Sequence, residues 1–104
     1  MKTDFKPYYA VIFTNKRTLA DDEGYGKMAV RMEALAKEQP GYLGMDHART
    51  ELGITISYWE SLEAIKHWKN NLDHQNAQEK GRQIWYEWYH TRICKVEREY
   101  EFNG

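Results

Sequence analysis

The sequence predicts an α+β domain of the ferredoxin-like type, β-α-β-β-α-β: a four-stranded antiparallel sheet with two helices on one face. Three observations carry this expectation. Hydrophobic periodicity alternates between two residues and about 3.6 residues in that order along the chain. Turn and cap residues stand where the period changes. The 104 residues suffice for one two-layer core and not for two.

The first strand is Tyr8 to Asn15, YYAVIFTN, aromatic and β-branched, with Pro7 just outside. Tyr9, Val11, Phe13 and Asn15 share one face, and Tyr8, Ala10, Ile12 and Thr14 the other. From Asp21 the spacing of Tyr25, Met28, Ala29, Met32, Leu35 and Ala36 predicts an amphipathic helix, with acids at its start and Pro40-Gly41 as its stop. GYLGMDHAR and LGITISYW follow as two short strands joined at Thr50-Glu51. In the second of these, Leu52, Ile54, Ile56 and Tyr58 alternate with Gly53, Thr55, Ser57 and Trp59. Ser61 is the expected N-cap of the second helix, whose apolar stripe is Leu62, Ile65, Trp68 and Leu72. His67 points away from that stripe. Helical character continues to about Trp85, broken near Asn70–Asp73, and the last strand is expected over Trp88 to Tyr100. Both faces of the strands carry apolar residues. The face without helices therefore needs a cover, and a homodimer joined through it supplies one.

Composition narrows the function classes. A formal net charge of −1, with acids and bases interspersed, argues against nucleic-acid binding. No apolar run approaches the roughly 20 residues of a membrane span. The N-terminal stretch lacks an apolar core with a small-residue cleavage site, and Cys94 is alone, so a reducing cytoplasm is the expected compartment. The four histidines show no metal-ligand spacing, and no phosphate-cradling glycine loop follows a strand. Aromatic residues make up 14% of the chain, which points to a ligand cavity or an extensive subunit interface.

Several residues have both a chemical and a packing reading. Asn15 continues the face of Tyr9, Val11 and Phe13, where a buried amide needs partners; it also suits a strand-end turn. Trp59 and Trp68 read first as core, with a cavity wall compatible. His74, after an Asp at the expected break, suits a base at neutral pH or a helix cap. Cys94 has no activating neighbour and reads as an inert thiol.

The stretches QPGYLGMDHAR and ITISYWESLEAIKHW, with the order of elements, resemble the antibiotic biosynthesis monooxygenase superfamily. The matching motifs are Pro40-Gly41-Tyr42-Leu43-Gly44 after the first helix and Trp59-Glu60-Ser61 at the strand-to-helix corner. The resemblance implies a dimeric α+β barrel and one of two activities. The first is oxygenation of small aromatic, polyketide-like substrates such as anthrones, with no cofactor. Under it, Asn15 is a donor, Phe13, Tyr58, Trp59 and Trp68 are pocket walls, and His74 is the base. The second is haem binding and degradation, in which Asn15 and Trp68 match two of three site residues. Haem degraders place a His ten residues after that Trp, where this chain has Gln78; His74 is six residues on. A non-enzymatic dimeric small-molecule-binding or stress-associated protein is the third reading.

Overall fold

The computed structural model describes residues 5–74 and 84–104. It contains β1 (Tyr8–Arg17), α1 (Asp22–Lys37), β2 (Tyr42–Arg49), β3 (Gly53–Trp59), α2 (Leu62–His74) and β4 (Tyr86–Val96). All strand pairs are antiparallel, in the order β2-β3-β1-β4, which is the expected ferredoxin-like sheet. β1 runs two residues past the expected end. β4 starts earlier and stops at Val96, because Val96 pairs with Tyr8, the first residue of β1, and nothing continues the ladder beyond it. Of the helical stretch expected beyond His74, residues 75–83 lie outside those described, and Ile84 and Trp85 are helical just before β4.

Local chemistry sets the element ends. Asp21 caps α1 from the left-handed region (φ 53°), its Oδ1 accepting the Gly24 N–H at 3.1 Å. Its other oxygen, Oδ2, accepts the indole N–H of Trp85 at 3.2 Å, tying the start of α1 to the chain just before β4. Ser61 caps α2 as expected, its Oγ accepting the Ala64 N–H at 3.1 Å. Gly41 turns the chain out of α1 at φ 84°, and its carbonyl accepts the Glu60 N–H at 2.8 Å. A Cβ there would lie 2.7 Å from the Ala64 Cβ, so both conformation and space demand glycine.

Residues on the helix-covered face line up in four rows across the sheet, each read in the order β2, β3, β1, β4. They are Tyr42–Trp59–Tyr9–Lys95, Met45–Ser57–Val11–Ile93, His47–Thr55–Phe13–Thr91, and Arg49–Gly53–Asn15–Tyr89. The hydrophobic core sits over the first two rows. Trp59, fully buried, stacks on Trp68 with ring centroids 5.9 Å apart and meets Tyr42 edge-on at 5.6 Å. Its indole N–H donates to Ser57 Oγ at 2.8 Å, so the buried polar atom is satisfied. Ala36, Ile65, Leu35 and Met32 complete this core. The opposite face presents Ala10, Ile12, Ile54, Ile56 and Tyr58.

Two glycine variants test the backbone argument by urea denaturation. Gly41→Ala is expected to lose about 1–3 kcal/mol from left-handed strain and the Ala64 clash. Gly26→Ala, inside α1 with open space where the new methyl group would stand, is expected to gain about 0.5–1 kcal/mol.

Candidate functional site

The fourth row sets one buried polar side chain, Asn15, beside the exposed Arg49 and the half-buried Tyr89. Gly53 has no side chain, and the Arg49 guanidinium lies over it; a Cβ at Gly53 would be 2.1 Å from Nη2. That clearance lets Arg49 reach across β3 to β1, where Nη2 donates to Asn15 Oδ1 at 2.5 Å. Asn15 is 1% exposed, so its carbonyl is a buried acceptor engaged by a charged donor. Nη2 also donates to the Tyr25 hydroxyl at 3.2 Å. Tyr25, from α1, has the Arg17 guanidinium 3.7 Å from its ring centroid. Arg17 is held on its own account by the Trp85 and Ala20 carbonyls and by Asp22, at 3.0, 3.2 and 3.0 Å. Arg49 makes no ion pair among the described residues.

An aromatic cluster adjoins this network. Phe13 lies 5.5 Å from Tyr86 and 5.3 Å from Tyr89, and Tyr86 meets Tyr25 edge-on at 5.8 Å. Strict alternation would turn Tyr86 and Tyr89 to opposite faces. A register shift at Lys16/Arg17, which pairs Lys16 with Trp88 and Arg17 with Tyr86, brings both to the helix face. Burial, and after it the hydrogen bond with Tyr25, push the Tyr86 phenol well above its ordinary range; Arg49 and Arg17 oppose this. The third row, between this cluster and the core, carries His47, Thr55 and Thr91 beside Phe13. Of these, His47 and Thr91 are exposed, and Thr55 and Phe13 are half-buried, so the helices do not close over this part of the sheet. The result is a sheet floor with an aromatic side, a polar end and an imidazole.

The sequence-predicted residues divide. Asn15 and Phe13 stand together beside the network. Trp59 and Trp68 are locked in the core stack, 0% and 8% exposed. Trp59 pairs with Tyr9, six residues along β1 from Asn15, or about 20 Å at the backbone. Tyr58 is turned to the helix-free face, where its hydroxyl donates to Asp46 at 2.7 Å and its ring meets Tyr8 at 5.9 Å. Adjacent strand residues point to opposite faces, so Tyr58 and Trp59 cannot line one pocket, a correction that period-two alternation itself requires. His74 is the final residue of α2, and its side chain lies outside the described residues, as does Gln78. The pattern that the resemblance set for haem is thus incomplete among the described residues: Trp68 packs in the core and Asn15 is engaged by Arg49. His67 is exposed, and so is Cys94.

Sequence reasoning missed Arg49, Tyr25, Tyr86 and His47. Arg49 and His47 follow Met45 by plain alternation, and share the face of Tyr42 only through the register shift after it. Asn71, three residues beyond Trp68, has a buried Oδ1 with no hydrogen-bond partner among the described residues, an acceptor that a ligand hydroxyl or N–H suits. A shallow depression of about 250 Å³ lies elsewhere, against Asp21, Lys27, Met28, Arg31 and Trp85. No group of three His, Cys, Asp or Glu suited to a metal occurs among the described residues.

Comparison with known proteins matches residues 20–80 to the antibiotic biosynthesis monooxygenase family. The chain belongs to that family. An uncharacterised protein of Bacillus subtilis, YqjZ, is 50% identical over 100 residues, covering 94% of this chain and 87% of that one. A jasmonate monooxygenase of Pyricularia oryzae is 26% identical over 94 residues, 90% of this chain; the chain spans 38% of that protein's length. Among solved structures, a mutant of SnoaB, a cofactor-independent oxygenase from Streptomyces nogalater, superposes with a TM-score of 0.70 at 11% identity. The match covers 91% of this chain and 97% of that one, and it establishes the fold alone. The family includes monooxygenases, and no described helix is long and apolar enough to cross a membrane.

An alkaline titration followed at 295 nm tests the phenol environments. The hydrogen bond to Glu99, with burial behind it, pushes the Tyr8 phenol up to about 12. Tyr86 is expected to ionise later still. Both folded values are raised, so the stability these phenols contribute is whole below about pH 10 and is lost as pH climbs through the folded values. Tyr8→Phe is expected to delete the step near 12 while leaving the Tyr86 step.

Proposed function

We propose that the protein is a cofactor-independent monooxygenase that oxidises a small aromatic, polyketide-like substrate with dioxygen. The observation that carries this reading is the Asn15–Arg49–Tyr25 network standing beside an uncovered, aromatic sheet floor in a domain of this family. The SnoaB likeness supports a chemistry without a bound cofactor.

The reaction asks little of the protein. A base removes a proton from a carbon or hydroxyl activated by the aromatic system, and the resulting anion gives one electron to dioxygen. Recombination forms a hydroperoxide, and loss of water leaves a carbonyl, so a CH₂ and O₂ become C=O and H₂O. The protein supplies the base, donors that hold the developing oxyanion, and a site that limits water. Asn15, with its carbonyl turned to Arg49, offers its amide nitrogen as the donor. Phe13, Tyr86 and Tyr89 form the aromatic wall. Two histidines compete for the base: His74, from the sequence, and His47, which lies on the floor beside Phe13 and Thr55 in the third row.

The helix-free face supports a homodimer. Ile12, Ile54 and Ile56 share it, Ile54 and Trp88 are exposed, and no described element covers it. That arrangement would leave each protomer's helix-side floor open to ligand.

Two experiments test these readings. Purified, metal-free protein is given a panel of anthrone-type substrates under oxygen, with oxygen uptake and product mass recorded. Turnover is expected, with His47→Gln lowering kcat about 10²–10⁴-fold and His74→Gln leaving it within a few-fold. No turnover across the panel overturns the oxygenase reading, and the reverse pattern of the two variants assigns the base to His74. For assembly, light scattering is expected to give the mass of a dimer, and Ile54→Asp the mass of a monomer.

A further inference from the structure

Two cations meet at Tyr25, and they are not equivalent. Arg17 is neutralised by Asp22 and further held by two carbonyls, with its side chain 13% exposed. Arg49 is held as firmly but by uncharged oxygens only, those of Asn15 and Tyr25, and its guanidinium rests on Gly53. An arginine whose sole task is solvation keeps its rotamer freedom. Here that freedom is given up, together with a fully buried amide and a side chain at Gly53, to hold a full positive charge in one place. The charge is uncompensated among the described residues, and its Nε and Nη1 groups have no hydrogen-bond partner among them. It stands at the polar end of the floor, one row from Phe13.

We infer that Arg49 is a specificity-determining residue that binds a carboxylate on the aromatic ligand, with Asn15 and Tyr25 as positioning residues that aim the guanidinium. This deepens the oxygenase reading and rests on the same floor as the ligand site. A carboxylate suits the geometry because the planar guanidinium pairs with planar oxyanions through directed, charge-assisted hydrogen bonds. The carboxylate end then sits on Arg49, and the ring lies along Phe13 toward Tyr86 and Tyr89. The neighbouring titratable groups are His47, two residues away on the same face of β2, and Tyr25 and Tyr86 from α1 and β4. No carboxylate is among these neighbours to compete for the charge.

The test uses the native protein and two ring-matched probes, 9-anthracenecarboxylate and 9-anthracenecarboxamide. Binding is measured at pH 7 by probe fluorescence, under argon. The carboxylate is expected to bind about tenfold tighter than the carboxamide. That preference is expected to shrink as salt rises. It should vanish in Arg49→Gln and be partly kept in Arg49→Lys, with near-ultraviolet circular dichroism verifying that each variant is folded. Equal binding of the two probes, binding of neither up to millimolar concentration, or a preference that survives in folded Arg49→Gln overturns the inference. If Arg49→Gln does not fold, the comparison of the two probes on the native protein decides alone. Because no oxygen is consumed in this measurement, a carboxylate preference without turnover of any substrate overturns the oxygenase reading and upholds the role of Arg49. Turnover without the preference does the opposite.

Discussion

The burial of Trp59 is the constraint on which the other placements depend. Its ring is fully enclosed between Trp68 and Tyr42, and its indole N–H is satisfied by Ser57 on its own strand. Moving β3 by one residue against either neighbour would turn this ring to the helix-free face and bring Tyr58 inward. Trp59 pairs with Tyr9 on one side and Tyr42 on the other, so its burial fixes both ladders. Six residues away, the same register sets Gly53 between Arg49 and Asn15. A large apolar side chain in the core thus determines which polar groups meet at the far end of the sheet.

That separation divides the helix face by task. The two rows under the helices hold Trp59, Met45 and Val11 and provide the apolar burial that stabilises a domain of this size. The other two rows hold Thr55, His47, Asn15 and Arg49, of which Asn15 is buried, and a buried amide costs stability unless it finds a partner. Asn15 and Arg49 satisfy one another, and Tyr25 adds a helix to the arrangement. The price of the polar end is one glycine, since only Gly53 leaves room for the guanidinium. A polar cluster anchored in this way keeps its geometry without a ligand, which is the preorganisation that oxyanion chemistry needs.

The fold was legible in the chain, but of the candidate site only Asn15 and Phe13 were. Asn15 was placed on the correct face by counting twos from Tyr9, and Phe13 with it. The period that did so also separates Tyr58 from Trp59, so an aromatic pair that is adjacent in sequence belongs to opposite sides of the sheet. Arg49 gave no signal, because a charged residue at the end of a strand beside a turn ordinarily reads as solvated surface. Tyr86 was hidden for another reason: one extra residue in β4 reverses the face of everything before it, and nothing in the local sequence marks where that residue falls.

The sequence by itself determined the order of elements, the acidic start of α1, the cap at Ser61, the turn at Gly41 and the face alternation of β1 and β3. These follow from short-range physics: side-chain period, hydrogen bonds three residues long, and the conformational freedom of glycine. Only the tertiary structure decided that Arg49 reaches Asn15 over Gly53, that Tyr25 joins them from a helix, and that Trp68 belongs to the core stack while the floor beside Phe13 stays uncovered. Those facts depend on registers and shifts between strands distant in the chain, and on the packing volume of one tryptophan, which no local window contains.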